Sequence, residues 1–307
     1  MNLSKKIILL AGPTASGKSN LAIQLAKKIN GEIINADSMQ VYKEFTILSS
    51  KPKPSEYNDI KHHLYGLISV SKQFSAGEWL KLAKKKIILC QKNNRVPIVV
   101  GGTGLYFNTI TKGMTTIPEI GLKTRNKVRS LFQKLGHKKF YEKLLNVDPK
   151  SKGKILPTDT QRAQRAYEVF IQTKKSLFDW IKNTKSEFIN HEIKKIFLDV
   201  PREELLKKIK LRTNIMFKND CVKEVKKFNL LNLDKSNSAN KLIGVHEINK
   251  YLKGTITVDE CEELMNIRTR QYAKRQNTWA RGHMKNWNKL YSKNFSILLK
   301  KVLKVVS

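Results

Sequence analysis

The sequence predicts an α/β fold, in which helices flank a parallel sheet and an all-helical domain is inserted into the chain that forms the sheet. Short apolar runs bounded by turn residues, such as KIILLA at 6–11 and VPIVVGG at 96–102, are typical of buried parallel strands. Segments of helical periodicity alternate with these runs, which indicates βαβ units. From about residue 115 to 192 the apolar runs give way to charged helical segments.

The first part of the chain alternates strictly. A helix over 17–29 follows the first strand, and its apolar face carries Leu21, Ile23, Leu25, Ala26 and Ile29. A second strand, EIINAD, ends at Asp37, and a polar stretch then leads to a helix around 76–92. After the strand at 96–102, the pattern predicts a further helix from Gly104.

The pattern changes twice in the remainder. Three helical segments occupy the region after residue 114: KTRNKVRSLFQKL, HKKFYEKLLN and DTQRAQRAYEVFIQT. A strand at 194–200 and the helix REELLKKIKLRTNIMF then resume the α/β pattern, before a polar loop at 232–240 and a basic helical end. We therefore predict a core formed by residues 1–114 and 193–307, with a helical insertion at 115–192.

Composition narrows the class of partner. Lys and Arg number 60 against 25 Asp and Glu, a formal net charge of +35, and such a surface attracts polyanions, most often nucleic acid. Lysines occur throughout the chain, so the charge alone also fits a general lysine bias. Three widely spaced cysteines without a CxxC pair argue against a disulfide framework or zinc site and fit a reducing cytoplasm. No apolar run approaches the roughly 20 residues of a membrane span, so we expect a cytoplasmic protein without membrane contact.

A phosphate-binding loop is the clearest motif. The pattern GxxxxGK[ST] is matched between the first strand and first helix by Gly12, Pro13, Thr14, Ala15, Ser16, Gly17, Lys18 and Ser19. Backbone N–H groups of such a loop and of the helix N-terminus bind phosphate, Lys18 adds charge, and the Ser19 hydroxyl can ligate Mg²⁺. Phosphotransfer enzymes add an acidic partner for Mg²⁺ at a strand end. Asp37 and Asp199 stand at such ends, although each is also compatible with a helix or turn cap.

Five motifs together resemble one family. They share its order and spacing along about 280 residues: GPTASGKS (12–19), ADSMQVY (36–42), VGGTGLYF (100–107), DTQRAQRAYEVF (159–170) and RTRQYAKRQNTW (268–279). In these motifs the chain resembles the tRNA dimethylallyltransferases, also called tRNA isopentenyltransferases. The resemblance implies a P-loop NTPase-like core with an inserted helical domain that contacts tRNA, in a monomeric protein.

The resemblance also implies a reaction. A dimethylallyl group passes from dimethylallyl diphosphate to N6 of the adenosine 3′-adjacent to the anticodon, in tRNAs that read codons beginning with U. The loop then holds the departing diphosphate, with Mg²⁺ as cofactor, and no nucleotide need be hydrolysed. Because ATP-binding proteins carry the same loop pattern, nucleotide binding stays open.

Individual residues inherit expected roles from the family's motifs. Asp37 matches the general base, Thr14 could contact the diphosphate or position Asp37, and Lys18 and Arg212 could bind the diphosphate. The residues that match tRNA contacts are Asp37, Ser38, Met39, Gln40, Thr103, Arg125, Gln161, Arg162, Ala163, Gln164, Arg165 and Lys241. Three positions depart from the family pattern, since Lys241 and His246 stand where many members carry arginine, and a glycine is common at the position of Asp220.

The last long helix suggests RNA contact from its own sequence. Arg268, Tyr272, Arg275 and Trp279 recur at three- and four-residue steps, with an adjacent stripe of Arg270, Lys274 and Arg281. Cations interleaved with aromatic rings suit phosphate contact and base stacking, and we expect Arg270, Lys274 and Arg275 to bind tRNA. Alternatively, the helix is a solvated basic helix whose aromatic residues dock on the core. Tyr42, outside this helix, is likewise compatible with either base stacking or core packing.

Other function classes share part of this pattern. An adenylate isopentenyltransferase would use a free adenine nucleotide, and it has less need of a basic insertion and basic tail. A P-loop kinase acting on a small nucleotide, or an RNA-binding ATPase, would turn over ATP without dimethylallyl diphosphate. A non-catalytic RNA-binding protein would not need the residues expected at the reaction centre.

Overall fold

A computed structural model describes residues 5–234 and 237–307 of the chain. Lys235 and Ser236, which belong to the predicted polar loop, lie outside the described residues. The contacts divide the chain into two compact units. The core unit comprises Met1–Phe107 and Asn190–Ser307, and the helical unit comprises Asn108–Ile189. Each change of unit falls a few residues before the position predicted from the sequence.

A six-stranded sheet organises the core unit. Its strands are β1 (Lys6–Ala11), β2 (Gly31–Asn35), β3 (His62–His63), β4 (Val96–Gly101), β5 (Glu192–Leu198) and β6 (Asn288–Leu290). They pair in the order β3-β2-β4-β1-β5-β6, and every pairing is parallel. The predicted α/β class and the four predicted strands are confirmed. The strands β3 and β6 were not predicted, because two or three residues are too few to show a period.

The second strand ends earlier than predicted, at Asn35 instead of Asp37. The Asn35 side chain causes this, since its Oδ1 accepts a hydrogen bond from the Asp37 N–H at 2.8 Å. An Asn that binds the backbone two residues ahead replaces ladder pairing with a turn. Asp37 therefore lies in the loop beyond the sheet.

Helices form where the sequence predicted them at 17–29, around 76–92, from Gly104 and behind the strand at 194–200. The helices of the core unit are α1 (Lys18–Ile29), α2 (Ala76–Lys92), α3 (Gly104–Thr111, which runs into the helical unit), α7 (Arg202–Lys218), α8 (Cys221–Asn229), α9 (Val245–Leu252), α10 (Val258–His283) and α11 (Phe295–Val306). One buried cluster joins Ile8 and Leu10 of β1 to Leu21 of α1, Ala273 of α10 and Val302 of α11. Among the described helices, none has the length and apolar character that a membrane crossing requires.

The helical unit contains α4 (Leu122–Val147), α5 (Thr160–Thr173) and α6 (Leu177–Lys182). Gly136 interrupts α4 with a φ of 69° and a ψ of −178°, which separates the two helical segments predicted on either side of it. Phe140 is fully buried in a cluster with Val128, Leu144 and Tyr167. This unit therefore has an apolar core of its own.

Parallel pairing brings the loops after β1, β2, β4 and β5 to one edge of the sheet. Ala11, the last residue of β1, stands opposite Gly101 of β4 and Phe197 of β5. Ligands of open α/β sheets bind beyond the carboxyl ends of the strands. The phosphate loop and Asp37 both follow strands at this edge.

Truncating Phe140 to Ala should destabilise the helical unit by about 3–5 kcal/mol, because a buried aromatic ring leaves a cavity. Hydrogen–deuterium exchange of the amides in α4 and α5 measures the change directly. The control is Leu122→Ala, since Leu122 is 75% exposed. Equal protection in both variants would show that the Phe140 cluster does not stabilise this unit.

Candidate active site

The loop after β1 forms a cavity of about 300 Å³, named here the loop cavity. Ala15 and Gly17 have φ values of 60° and 85°, a conformation in which successive backbone N–H groups turn toward an anion. The helix α1 that follows has no acidic residue in its first turn. The residues that line the loop cavity are Thr14, Ala15, Ser16, Gly17, Lys18, Ser19, Asn20, Asp37, Gln40, Ser49, Ser50, Lys208, Leu211, Arg212 and Ile215. Gly12 and Pro13 of the motif lie outside this lining.

Three cations make the loop cavity positive: Lys18, Lys208 and Arg212. Desolvation lowers the pKa of Lys18 to about 8, with Asp37 opposing this effect and Arg212 adding to it. The Lys18 ammonium donates to the Pro13 carbonyl at 3.2 Å, and an Arg212 Nη1 group donates to the Thr14 hydroxyl at 2.8 Å. The cavity thus holds three positive charges, and one of them, that of Lys18, is largely removed from water.

Two polar atoms at this cavity are buried without a hydrogen-bond partner among the described residues: Ser16 Oγ and Arg212 Nε. Buried polar groups are normally paired, so each unpaired one needs an explanation. Both groups are hydrogen-bond donors and both belong to residues that line a cationic cavity. Donors of this type pair with anions in proteins.

Asp37 is held by its own loop. The Met39 N–H donates to Asp37 Oδ1 at 2.9 Å, while the fully buried Asn35 binds both backbone groups of Asp37. Asn35 is anchored in turn, since its Nδ2 also donates to the Leu64 carbonyl at 3.1 Å and its own carbonyl accepts from Trp79 Nε1 at 2.7 Å. Sequence reasoning missed this role of Asn35, and the only available signal was an amide-bearing residue two positions before Asp37.

A second cavity of about 280 Å³, named here the α10 cavity, adjoins the first. It is lined by Thr14, Asp37, Ser38, Met39, Leu48, Ser49, Arg212, Thr213, Met216, Lys241, Leu242, Ile243, Met265, Thr269, Tyr272 and Arg275. Thr14, Asp37 and Arg212 line both cavities. The carboxylate therefore stands where a cationic cavity meets one with apolar walls.

Several residues expected to bind tRNA line the α10 cavity: Ser38, Met39, Lys241 and Arg275. Gln40 lines the loop cavity instead, and its amide nitrogen donates to the carbonyls of Ser49 and Ser50 at 3.0 and 2.9 Å. That donor is therefore committed to the loop, which leaves only its oxygen to contact a base. Thr103 Oγ1 accepts from the Ser38 N–H at 3.0 Å and so positions the segment next to Asp37.

The two basic stripes of α10 were predicted to be adjacent. This prediction is wrong, because the stripes lie on opposite sides of the helix. Arg270, Lys274 and Arg281 line a separate cavity of about 820 Å³, whereas Tyr272 and Arg275 line the α10 cavity. At 100° per residue, positions 270 and 275 differ by about 140° around the helix. Asp199 lines that separate cavity and not the loop cavity, whereas Asp37 lines the loop cavity.

The aromatic residues Tyr272 and Trp279 lie on one side of α10 but have different surroundings. Tyr272 lines the α10 cavity with the Arg275 guanidinium 5.7 Å from its ring centre. Burial, reinforced by the charge of Asp37, raises the pKa of Tyr272. Trp279 packs so closely on Gly104 that a Cβ there would lie 2.3 Å from the indole ring. Trp279 therefore packs on Gly104 and is half-buried.

Two further open points are resolved by packing and backbone conformation. Tyr42 is 2% exposed and its hydroxyl lies 2.7 Å from Ser238 Oγ, so it is a core residue. Asp220 has a φ of 62° and a ψ of 49°, the left-handed region in which glycine is favoured. Its carboxylate accepts from the Lys223 N–H at 3.1 Å and caps α8, which compensates for the strained backbone.

The remaining predicted contacts lie in the helical unit. On α5, Gln161 and Arg162 are exposed, Gln164 and Arg165 are half-buried, and Ala163 is 2% exposed in the apolar core of the unit. The side chain of Ala163 is therefore inaccessible to RNA. Arg125 on α4 is half-buried, and its Nε has no hydrogen-bond partner among the described residues.

One group of potential metal ligands occurs among the described residues, away from both cavities: Glu32, His63 and Cys90. Glu32 Oε2 lies 2.7 Å from His63 Nε2 and accepts from the Cys90 thiol at 3.4 Å. Burial, followed by the effect of Glu32, raises the pKa of Cys90 to about 12. The thiol therefore keeps its proton, and the three side chains form a hydrogen-bonded set that ties β2 to β3 and α2.

Comparison with known proteins identifies the family of the chain. A model of the IPP transferase family matches residues 40–283. A tRNA dimethylallyltransferase of Pelagibacter ubique is 54% identical over 290 residues, which cover 94% of this chain and 93% of that protein.

Solved structures extend the similarity to the fold. A tRNA delta(2)-isopentenylpyrophosphate transferase from Staphylococcus epidermidis is 31% identical with a TM-score of 0.68, and 98% of each chain is covered. A eukaryotic dimethylallyltransferase acting on tRNA is 30% identical with a TM-score of 0.79, covering 90% of this chain and 70% of that one. These matches confirm the resemblance inferred from the five motifs: the chain belongs to the IPP transferase family, that of the tRNA dimethylallyltransferases.

Proposed function

We propose that this chain transfers a dimethylallyl group from dimethylallyl diphosphate to N6 of the adenosine 3′-adjacent to the anticodon, in tRNAs that read codons beginning with U. The observation that carries the proposal is the position of Asp37 at the junction of the loop cavity and the α10 cavity. A group transfer needs an anionic leaving group on one side and an acceptor on the other. The names of the matched relatives support the same reaction.

On the donor side, the cations of the loop cavity bind the diphosphate. Lys18 and Arg212 supply charge, and the unpaired Ser16 hydroxyl and Arg212 Nε supply hydrogen bonds. As the bond from the allylic carbon to oxygen breaks, negative charge develops on the diphosphate. Donors already aimed at that charge lower the barrier without reorganisation.

The Ser19 hydroxyl, which is exposed and lines the loop cavity, would hold Mg²⁺. A hydroxyl oxygen is the type of ligand Mg²⁺ prefers, and this ion is commonly bound through substrate phosphates. When bound, it neutralises charge on the leaving diphosphate. The residues present therefore fit the ion.

On the acceptor side, Asp37 takes the proton. The target adenine leaves its stack and enters the α10 cavity, where Met39, Leu48 and Met265 offer an apolar surface. N6 attacks the allylic carbon, the carbon–oxygen bond to diphosphate breaks, and the N6 proton passes to the Asp37 carboxylate. An exocyclic amine is a weak nucleophile, so this general base is needed.

Electrostatics favours tRNA as the acceptor. The chain carries a net charge of +35, and Lys241 and Arg275 are exposed at the α10 cavity. In the helical unit, tRNA would also contact the exposed and half-buried cations Arg125, Arg162 and Arg165. On the far side of α10 it would contact Arg270 and Lys274. We also propose that the protein acts as a cytoplasmic monomer.

The proposal is tested with purified protein, Mg²⁺ and unmodified tRNA, supplied with either dimethylallyl diphosphate or ATP. We expect mass analysis of the nucleosides to show one dimethylallyl group on adenosine with the first donor alone. Replacing tRNA by AMP tests the adenylate reaction. ATP consumption without prenylation, or modification of AMP alone, would contradict the proposed function.

Replacing Asp37 by Ala should lower kcat by about 10²–10⁴-fold, the usual contribution of a general base. The dissociation constant for tRNA should stay close to that of the wild type, because the cations that bind phosphate are unchanged. Single-turnover transfer and filter binding measure the two effects. A kcat within a few-fold of the wild type would remove Asp37 from the mechanism.

The pH profile of kcat/KM for the donor should reflect Lys18. The free enzyme loses the Lys18 charge as pH rises through about 8, so kcat/KM should fall above that pH. Lys18→Arg should retain its charge and abolish this fall, although its absolute rate will be lower. An alkaline limb shared by both proteins would assign the ionisation to another group.

Replacing Arg275 by Ala should weaken tRNA binding and lower the slope of log K against log salt by about one unit. Lys300→Ala, an exposed position on α11, is the control and should leave the slope unchanged. The same titration on Lys274→Ala reports whether RNA reaches the opposite side of α10. An unchanged slope in Arg275→Ala would exclude that phosphate contact.

A further inference from the structure

We propose that Gln276 is a positioning residue, which locks the phosphate loop to α10 and to the end of β4. The proposal deepens the proposed function, because it concerns the same site, and its central measurement does not require transfer activity. Gln276 follows Arg275 directly, but its side chain makes its hydrogen bonds within the protein.

Both halves of the Gln276 amide are used. Its Oε1 accepts from the Thr14 N–H at 2.8 Å, and its Nε2 donates to the Gly102 carbonyl at 3.0 Å. These partners are 262 and 174 residues away in the sequence, in the loops that follow β1 and β4. One planar group thus spans two loops whose relative position defines the site.

The backbone at residue 102 is shaped for this amide. A Cβ on Gly102 would lie 2.3 Å from Gln276 Nε2, so a side chain there would displace the amide. Close packing against the Gln276 amide therefore explains why a glycine follows β4 in this chain. A carboxamide offers an acceptor to Thr14 and a donor to Gly102 at once, and Asn is one methylene shorter.

Thr14 is the residue through which Gln276 acts. Its backbone is held by α10 through Gln276, and its hydroxyl is held by α7 through Arg212 at 2.8 Å. Thr14 is buried and lines both the loop cavity and the α10 cavity. Gln276 therefore connects the helix that carries Arg275 to the loop proposed to hold diphosphate, and it adds no charge that would oppose the anion.

The central test is the affinity of the loop for inorganic diphosphate with Mg²⁺, measured by calorimetry. Gln276→Ala should weaken this affinity by about tenfold, because it leaves a buried N–H and a carbonyl unpaired. Gln276→Glu should weaken it more, since a carboxylate loses the bond to Gly102 and repels the anion. The matched control is Gln271→Ala, the same change at an exposed position of the same helix.

Two further measurements distinguish positioning from a general structural role. In Gln276→Ala the KM for dimethylallyl diphosphate should rise by about tenfold, while the tRNA dissociation constant stays within about twofold of the control. Gly102→Ala should reproduce this pattern by expelling the amide, and the double variant should be no worse than the single ones, because one link is broken in each.

Diphosphate affinity equal to that of Gln271→Ala would overturn the proposal, as would a parallel loss of tRNA affinity and melting temperature. Additive effects of the two substitutions would overturn the assigned link to Gly102. If Gln276→Ala does not fold, Gln276→Glu and Gly102→Ala carry the same comparison. A wild type that binds diphosphate but does not transfer would refute the proposed function alone.

Discussion

Parallel pairing of β1 between β4 and β5 is the constraint on which the rest of this structure depends. Because all six strands run in the same direction, their following loops meet at one edge of the sheet. The phosphate loop, the Asp37 loop and the Gly102 loop come from three separate parts of the chain, yet each follows a strand at that edge. The apolar strands stabilise the sheet, and their common direction assembles the site.

The site combines unbalanced positive charge with incomplete hydrogen bonding. Lys18, Lys208 and Arg212 share the loop cavity with one carboxylate, that of Asp37. Desolvation lowers the pKa of Lys18, and burial leaves the Ser16 hydroxyl and Arg212 Nε without a hydrogen-bond partner among the described residues. A bound anion would supply the negative charge and the hydrogen-bond acceptors that the protein itself does not provide here. The site therefore suits a leaving group that gains negative charge during the reaction.

The helix α10 has two separate sets of cations because of its periodicity. Arg275 and Tyr272 face the α10 cavity, and Arg270 and Lys274 face the cavity near Asp199. Its inner side also approaches the backbone of Gly102 and Gly104 closely. The glycine-rich stretch after β4 thus serves the docking of α10, whose Gln276 lies 174 residues after Gly102 in the chain.

The sequence by itself determined the α/β class, four of six strands, the helices that flank them, the phosphate loop and the family. These features are local, since a buried strand, an amphipathic helix and a glycine-rich loop each leave their pattern in adjacent residues. The segment boundary at Gly136 was predictable for the same reason.

Only the tertiary structure decided the rest. The pairing of two-residue β3, the cavities that the two sides of α10 line, the burial of Ala163 and Tyr42, and the partners of Asn35 and Gln276 depend on residues distant in sequence. A single amide side chain forms no periodic pattern in the sequence, so its hydrogen-bond partners cannot be predicted from the sequence. Its role is set by which backbone groups the fold brings within about 3 Å of it, the length of a hydrogen bond.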